Sequence, residues 1–501
     1  MNLQFGAASR AAVVSLGPIM ADLARGTERP SSNAKARIAW VTFDFPPRQS
    51  SGVFRAIKIY KYLDKSRFEV DFITHGTARR FARAVNDDSL LAEVSPAPAI
   101  HRVATLIPHD LLPAIRTRLR GRRASASADG PATASAGETP ATDRAPRQVG
   151  LGGRLYRWLA LALYFPDHLF VWGWAAAFRA LWLHARRRYD LVYTTSHPES
   201  AHLAGLMLSA VGVPWVVDYR YGGPLWIKQV VGFPKSSLRE RLDHRYQRWV
   251  LRRADHVITQ SERIRADFCR VFGLDPARVQ VLSSGYDEAD FAGASVGSAE
   301  PFTKRDHEIH LLHVGAFEGL AEAQRLQLVR ALNDLGRALR DRGHALVFHA
   351  VGSDLFRDAE RRELSAVDYR RHGVIVHRHL PAYLRAADCC LLSTWTTTNG
   401  DVKGFIPSKL WEYLRAGLPI LTTGPKDEVW SIVETAGVGV FLPIDSFDSA
   451  RLDALAEELL SRVRTKKPLD SNVSRYSWES RAQSLQAVFL RMIDGPRIAS
   501  C

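Results

Sequence analysis

The sequence alternates apolar runs of strand length with amphipathic runs of helix length, and it does so in two successive series. From Arg37 the chain reads as strand (RIAWVTF), loop (DFPPRQSSG), helix (VFRAIKIYKYLDK) and strand (FEVDFIT). That is a βαβ unit, because parallel strands need a long crossover between them. The pattern resumes with DLVYTTS, the helix ESAHLAGLMLSAVG, PWVVDYR, DHVITQS and the helix ERIRADFCRVFG. After VQVLSSGYDEADF, the loose stretch 292–307 reads as a hinge. A second series follows: IHLLHVGAF, a helix through 323–342, ALVFHAVGS, GVIVHRHL, ADCCLLST, the helix within GFIPSKLWEYLRAGLPIL, then LPILTTG and VGVFLP. Two such series predict an α/β protein of two Rossmann-like, doubly wound domains facing across a cleft. Ligands of such sheets bind outside the carboxyl ends of the strands, which makes the cleft the expected site.

The remaining segments are easily sorted. Residues 1–35 are small and polar and read as a disordered tail; residues 120–150, rich in Ala, Ser, Gly, Pro and Arg, read as a disordered insertion. The N-terminal domain is then expected over 36–292 and the C-terminal domain over 293–478. Of the 501 residues 46% are hydrophobic and 24% charged, so the chain as a whole is globular. The net charge of +16 points to an anionic partner. Cys269, Cys389, Cys390 and Cys501 form no CxxC pair, which suggests a reducing, cytoplasmic setting without disulfides. The first residues do not read as a signal peptide, and no uninterrupted apolar window reaches the ~18 residues of a membrane span.

The segment 404–421 carries a charge in an unusual place. Pro407 and Ser408 signal a helix start with Ser408 as N-cap, and Gly417 and Pro419 signal its end. Lys409 then sits at the positive end of the helix dipole, and Glu412 falls one position beyond a capping-box glutamate. A lysine beside helix N–H groups makes a phosphate site, and a carboxylate one turn on can accept a ribose diol. Taken alone, both residues also read as solvated surface charges. In the first βα loop, FDFPPRQSSGVFRAIK places Gly52 before a helix and Arg55 in its first turn, where backbone amides can approach a pyrophosphate or simply form a connecting loop. His197 ends one strand and Asp218 and Arg220 end the next, so three chemically able groups, each of which could be merely structural, converge on one sheet edge. His202 reads as a packing residue. The sequence has no Asp-x-Asp, no His/Cys metal spacing, and no Walker, G-x-S-x-G or G-x-G-x-x-G motif. Nor is there a recognised nucleic-acid motif, so charge alone does not imply nucleic acid. The stretch 156–188, with four of twelve tryptophans and a basic end, suits either core packing or a membrane interface, as does RTRLRGRR at 116–123.

Taken together, WVTFDFPPRQSSGVFRAIKIYKYL, YFPDHLFVWGWAAAFRAL, DLVYTTSHPESAHLAGLML, PWVVDYR, RWVLRRADHVITQSERI and GFIPSKLWEYLRAGLPIL resemble a family-4-type glycosyltransferase of the GT-B fold. The resemblance covers roughly 37–80 and 155–495, and P-S-K-x-x-E-Y-x-x-x-G-x-P is its most specific part. It implies retaining transfer of a sugar from a nucleotide-sugar donor to a glycan or polyprenyl-linked acceptor, with no cofactor and no catalytic metal. It further implies a cytoplasmic protein, peripheral to the inner face of the cell membrane, and a final helix (479–501) returning to the N-terminal, acceptor-side domain. Carried over, Lys409 and Ser408 meet the donor diphosphate, Glu412 the ribose, and Gly52, Arg55, Gly315 and Arg325 belong to the donor site. His197, Asp218 and Arg220 are then the catalytic candidates. Two departures stand out. Gly404 replaces a second glutamate that many relatives carry, and DYRYGG replaces D-x-R-D-P-W. A nucleotide-sugar epimerase on the same fold and a degenerate nucleotide-sugar binder are the alternative readings.

Overall fold

The computed structural model describes residues 34–76, 87–104, 165–223, 237–292, 300–315, 322–394, 404–444, 449–465 and 471–495. The expected insertion 120–150, Arg116–Arg123 and Trp158 lie outside the described residues.

Two parallel sheets form the molecule. The first has seven strands: β1 (Ala36–Val41), β2 (Phe68–His75), β3 (Ala99–Val103), β4 (Leu191–Thr195), β5 (Trp215–Tyr219), β6 (His256–Thr259) and β7 (Val279–Val281), in the order β3-β2-β1-β4-β5-β6-β7. The second has six: β8 (Glu308–Val314), β9 (Ala345–Val351), β10 (Val367–Gly373), β11 (Cys389–Ser393), β12 (Ile420–Thr423) and β13 (Gly439–Phe441), in the order β10-β9-β8-β11-β12-β13. In each the winding reverses once, between β1 and β4 and between β8 and β11, which opens a crevice at the strands' carboxyl ends. The central strands are buried on both faces, and this explains their near-continuous apolar runs, such as WVVDY and CCLLS.

Helices cover both faces of each sheet. In the N-terminal domain these are α1 (Ser51–Tyr62), α2 (Ser89–Ala92), α3 (Phe170–Arg187), α4 (His202–Ala210), α5 (Ser237–Arg253) and α6 (Glu262–Phe272). A short α7 (Glu288–Ala292) leads into the second domain, with α8 (Glu322–Arg340), α9 (Asp358–Arg362), α10 (Leu380–Ala386), α11 (Lys409–Ala416), α12 (Glu428–Thr435) and α13 (Ser449–Arg464). The last helix, α14 (Trp478–Asp494), packs beside α1: Trp478, Ala482, Leu485 and Phe489 join the core of the first sheet. Local chemistry starts and stops these elements. Ser50 caps α1 by accepting the Val53 N–H at 3.3 Å, Ser261 caps α6, and Gly273 at φ 66° ends α6 in the left-handed region.

Two strand assignments read from the sequence differ from the structure. GVIVHRHL is not a strand: β10 precedes it, Val374 is exposed, and His377–His379 form a 3₁₀ turn. The edge strand β10 carries alternating charged residues, so its apolar signal is weaker than that of the segment that follows. Edge strand β3, AIHRV, was missed for the same reason. Trp172, in the stretch 156–188 that suited either core packing or a membrane interface, is fully buried under the first sheet.

Candidate active site

The N-terminal side of the crevice is built from the ends of β4 and β5 and the start of α1. Arg55 and Asp218 come together, but as a pair of their own. The Arg55 guanidinium donates to Asp218 through Nε at 2.7 Å and Nη2 at 3.1 Å, and Tyr193 donates its hydroxyl at 2.5 Å. Both residues are buried, and the third Arg55 nitrogen, Nη1, donates to the Ser283 carbonyl at 3.3 Å. Burial works against the Arg55 charge, yet Asp218 outweighs it and the guanidinium pKa is raised. This geometry ties β5 to α1 and places both groups beneath the crevice floor rather than in it.

Arg220 and Gly52 also meet. A Cβ on Gly52 would lie 2.0 Å from Arg220 Nη1 and 2.6 Å from Asp44 Oδ2, so glycine here makes room for a guanidinium. Gly52 lies inside the first turn of α1, because the helix starts two residues earlier than the sequence suggested. Arg220 donates Nε to the Ser196 carbonyl at 2.6 Å. Next to it His197 stacks on Tyr221 with ring centroids 5.1 Å apart, and its Nδ1 lies 3.7 Å from Glu199. Enclosure and then the Arg220 charge lower the His197 pKa, so near neutral pH its imidazole is uncharged and can accept a hydrogen bond.

On the C-terminal side the start of α11 faces the crevice. Ser408 has helical backbone angles and its side chain makes no capping bond, contrary to the expectation of an N-cap serine. Lys409 reaches back over the end of β8. Its Nζ lies 3.1 Å from His313 Nε2, and a Cβ on Gly315, at φ 94°, would be 3.2 Å from the same ammonium. His313 is buried and its Nδ1 lies 3.0 Å from the Leu391 carbonyl. A carbonyl can only accept, so Nδ1 carries the proton and Nε2 presents its lone pair to Lys409. Burial and then Lys409 push the His313 pKa well below its ordinary value, which keeps the ring neutral.

Glu412, one turn on, has a largely enclosed carboxylate 3.6 Å from His377 Nε2. Burial raises its pKa, with His377 pulling against that shift. Burial alone would lower the pKa of His377, but Asp290 and Glu412 hold its imidazolium and raise it. Arg325 donates Nε to both Glu360 oxygens at 2.8 and 3.0 Å, a pair that links α8 to α9.

The two sides touch. Glu412, Ser408 and His377 enclose a cavity of about 30 Å³ with Ser51, Phe54 and Lys58 of α1. Further out, Tyr221 stacks on Phe405 at 5.8 Å, so His197, Tyr221 and Phe405 form one aromatic column across the crevice. Gly404, at φ 87°, abuts Ser261: a Cβ there would be 2.9 Å from the Ser261 hydroxyl and 3.1 Å from Arg263 Cβ. The two departures from the family pattern, Gly404 and Tyr221, therefore belong to one cross-domain contact. Glu428 completes it by accepting from the Glu262 and Arg263 N–H groups at 3.0 and 3.1 Å, at the positive end of α6. A glutamate at 404 would meet both a strained backbone and α6.

Sequence reasoning missed His313 and His377. His313 sits in an apolar strand and looks like core, while His377 lay in a segment read as a strand; neither carried a spacing signal. Among the described residues three acidic groups gather within ligand distance of one another, those of Glu93, Asp287 and Asp290, and they surround Lys58 Nζ at 2.5, 2.7 and 2.9 Å, so an ammonium fills that cluster.

Comparison with known proteins places this geometry. Residues 132–285 match the Glycosyl transferase 4-like domain. No curated protein matches the chain. Similar solved structures include the N-terminal domain of Candida albicans trehalose-6-phosphate phosphatase, with 11% identity, 93% of this chain and 98% of that one covered, and a TM-score of 0.53. A glycosyltransferase from Rickettsia africae ESF-5 shares 11% identity over 92% of this chain and 100% of its own, with a TM-score of 0.52. A Listeria monocytogenes protein provisionally titled UDP-N-acetylglucosamine 2-epimerase shares 13% identity over 93% and 98%, with a TM-score of 0.51. At such identities these three report the fold alone. The chain therefore has two Rossmann-like domains facing across a crevice, the GT-B fold, and its residues 132–285 are similar to the Glycosyl transferase 4-like domain.

Proposed function

We propose that the chain is a retaining glycosyltransferase that moves a hexose-like sugar from a nucleotide-sugar donor to a glycan or polyprenyl-linked acceptor at the inner face of the cell membrane. The observation that carries the reading is the start of α11: Lys409, Ser408 and Glu412 are presented to the crevice opposite α1, with the Lys409 ammonium aimed by a neutral histidine. In this reading Lys409 and the helix N–H groups meet the negative charge that builds on the departing diphosphate, and the reaction calls on no metal. Glu412 holds the ribose hydroxyls. His197, neutral and lodged beside Arg220, orients a sugar hydroxyl from the acceptor side. Arg55 and Asp218 act indirectly, by fixing α1 against β5. In this reading the domains part to admit the donor and close to exclude water.

The test is a thermal-shift screen of nucleotide sugars on the parent and on Glu412→Gln, followed by product analysis with labelled donor and an acceptor panel. A donor at ~100 times its dissociation constant adds ~2.7 kcal/mol of stability. Stabilisation by one donor, lost in the variant, together with transfer of label supports the reading. Binding without transfer across the panel would favour a degenerate binder, and conversion of the free donor to its epimer would favour an epimerase.

A further inference from the structure

Six of the eight large apolar side chains exposed among the described residues lie on only two helices: Trp174, Phe178 and Trp182 on α3, and Leu238, Leu242 and Trp249 on α5. The α3 residues recur every fourth position, which lines them along one face of the helix. They are 44%, 59% and 44% exposed, and Trp174 stacks on Phe178 at 6.0 Å. Arginines border the strip. The guanidinium of Arg186 lies 3.6 Å, and that of Arg179 4.4 Å, from the Trp182 ring centroid. Helix α3 has no acidic residue, and α5, SLRERLDHRYQRWVLRR, has six arginines against Glu240 and Asp243. Asp243 is buried and bound to Arg239 at 2.7 Å, so it adds little negative charge outside.

Both helices belong to one layer. They pack with α4 over the same face of the first sheet, and Arg239 of α5 donates to the Pro166 carbonyl just before α3 at 2.7 Å. Aromatic rings interleaved with arginines suit the boundary of an anionic bilayer: indoles lie at headgroup depth and guanidinium groups meet lipid phosphates. We propose that the outer surface of α3 and α5 docks the protein on an anionic membrane. The inference adds the docking face to the lipid-linked acceptor of the proposed function, yet it is tested without donor or acceptor.

The experiment uses the full chain, with co-sedimentation on phosphatidylcholine vesicles containing phosphatidylglycerol and on pure phosphatidylcholine, at low and high salt. The parent should bind the anionic vesicles and be only partly released by salt. Trp174→Ser, Phe178→Ser and Trp182→Ser together should lower partitioning roughly tenfold or more and abolish the salt-resistant part. Arg245→Gln, Arg248→Gln and Arg252→Gln should weaken binding at low salt by about fivefold for each charge that reaches the surface. All six side chains are exposed, so thermal midpoints and donor-induced stabilisation should match the parent, and these measurements separate a failed docking face from a failed transferase reading. No binding by the parent, or parental binding by both variants, overturns the proposal. A dimer in solution that the aromatic substitutions dissolve, without vesicle binding, also overturns it and assigns the face to a second copy.

Discussion

Lys58 and Lys409 both point toward the crevice from opposite domains, but their surroundings differ. Lys58 is 1% exposed and lies within 2.9 Å of three carboxylates, those of Glu93, Asp287 and Asp290. Lys409 is held at 3.1 Å by an imidazole that is neutral and oriented by a backbone carbonyl. The first arrangement satisfies a charge and joins α1 to the chain segment leading into the second domain. The second sets a cation against the lone pair of a neutral ring. The contrast separates a cation that builds the fold from one suited to an incoming anion.

The largest effect should come from breaking the first arrangement. Lys58→Met would take away the ammonium that three carboxylates share, leaving Asp287 to Lys61 and Tyr62 and Asp290 to His377, and loss of one partner from such a buried network costs up to ~3–5 kcal/mol. Urea unfolding should show the loss at pH 7. A change below ~1 kcal/mol would mean that water already compensates the cluster. Lys409→Ala should behave in the opposite way. Removing a cation from the positive end of α11 gains ~0.3–1 kcal/mol, which nearly offsets the acceptor nitrogen left on His313. Stability should therefore stay within ~1 kcal/mol of the parent. Affinity for a nucleoside diphosphate should fall by ~1.5–3 kcal/mol by calorimetry, while the matching nucleoside binds as before. An equal loss for both ligands would remove the phosphate assignment. Glu412→Gln is expected to cost roughly 1–2 kcal/mol in nucleoside binding, since a charged acceptor makes the stronger bond to a diol. Retained affinity for the nucleoside but not for its 2′-deoxy form would exclude that role for the charge while keeping the ribose contact.

The difference between the two lysines also explains what could be read from the sequence. Lys409 was legible because it contradicts local preference: a lysine opening a helix needs a reason, and Glu412 stood at the wrong spacing for a capping box. The doubly wound fold was legible because buried parallel strands announce themselves as apolar runs. Lys58 looked like one more charge on an amphipathic helix, because its partners Asp287 and Asp290 are more than two hundred positions away. Arg55 and Asp218 failed in the same way. Arg55 was readable as a phosphate contact at the start of a helix and Asp218 as a reactive group at a strand end, and only the fold shows that they face each other across 163 positions. Gly404 and Tyr221 looked like two separate departures until Phe405 and Ser261 joined them. Pairings remote in sequence leave no periodic trace, whereas local conflicts do.

The smallest expected effect concerns pH and bears most directly on the comparison. The pKa of His313 in the folded protein is well below 6.5, so the unfolded chain takes up a proton here that the native state refuses. Its contribution to stability is complete above pH ~6.5 and declines as the pH falls below that value. Asp287 behaves differently: burial opposes its charge, but Lys58, Lys61 and Tyr62 outweigh burial and hold its pKa at about 2. Its contribution persists down to about 3.8, the value of an unperturbed aspartate, and is lost only as the pH falls on towards 2. Mild acid should therefore weaken the Lys409 arrangement while sparing the Lys58 network. A single histidine of this kind accounts for ~1 kcal/mol between pH 6.5 and 5.5. His313→Gln, whatever its stability at pH 7, should show a urea-unfolding free energy that falls less steeply over that interval, by about the same ~1 kcal/mol. His202 and His349, also buried with pKa values lowered to about 3, titrate in both proteins and cancel in the difference. Parallel pH profiles would show that His313 is already charged in the native protein. A charged imidazole has no lone pair to offer, and the ammonium of Lys409 would then be positioned by something else.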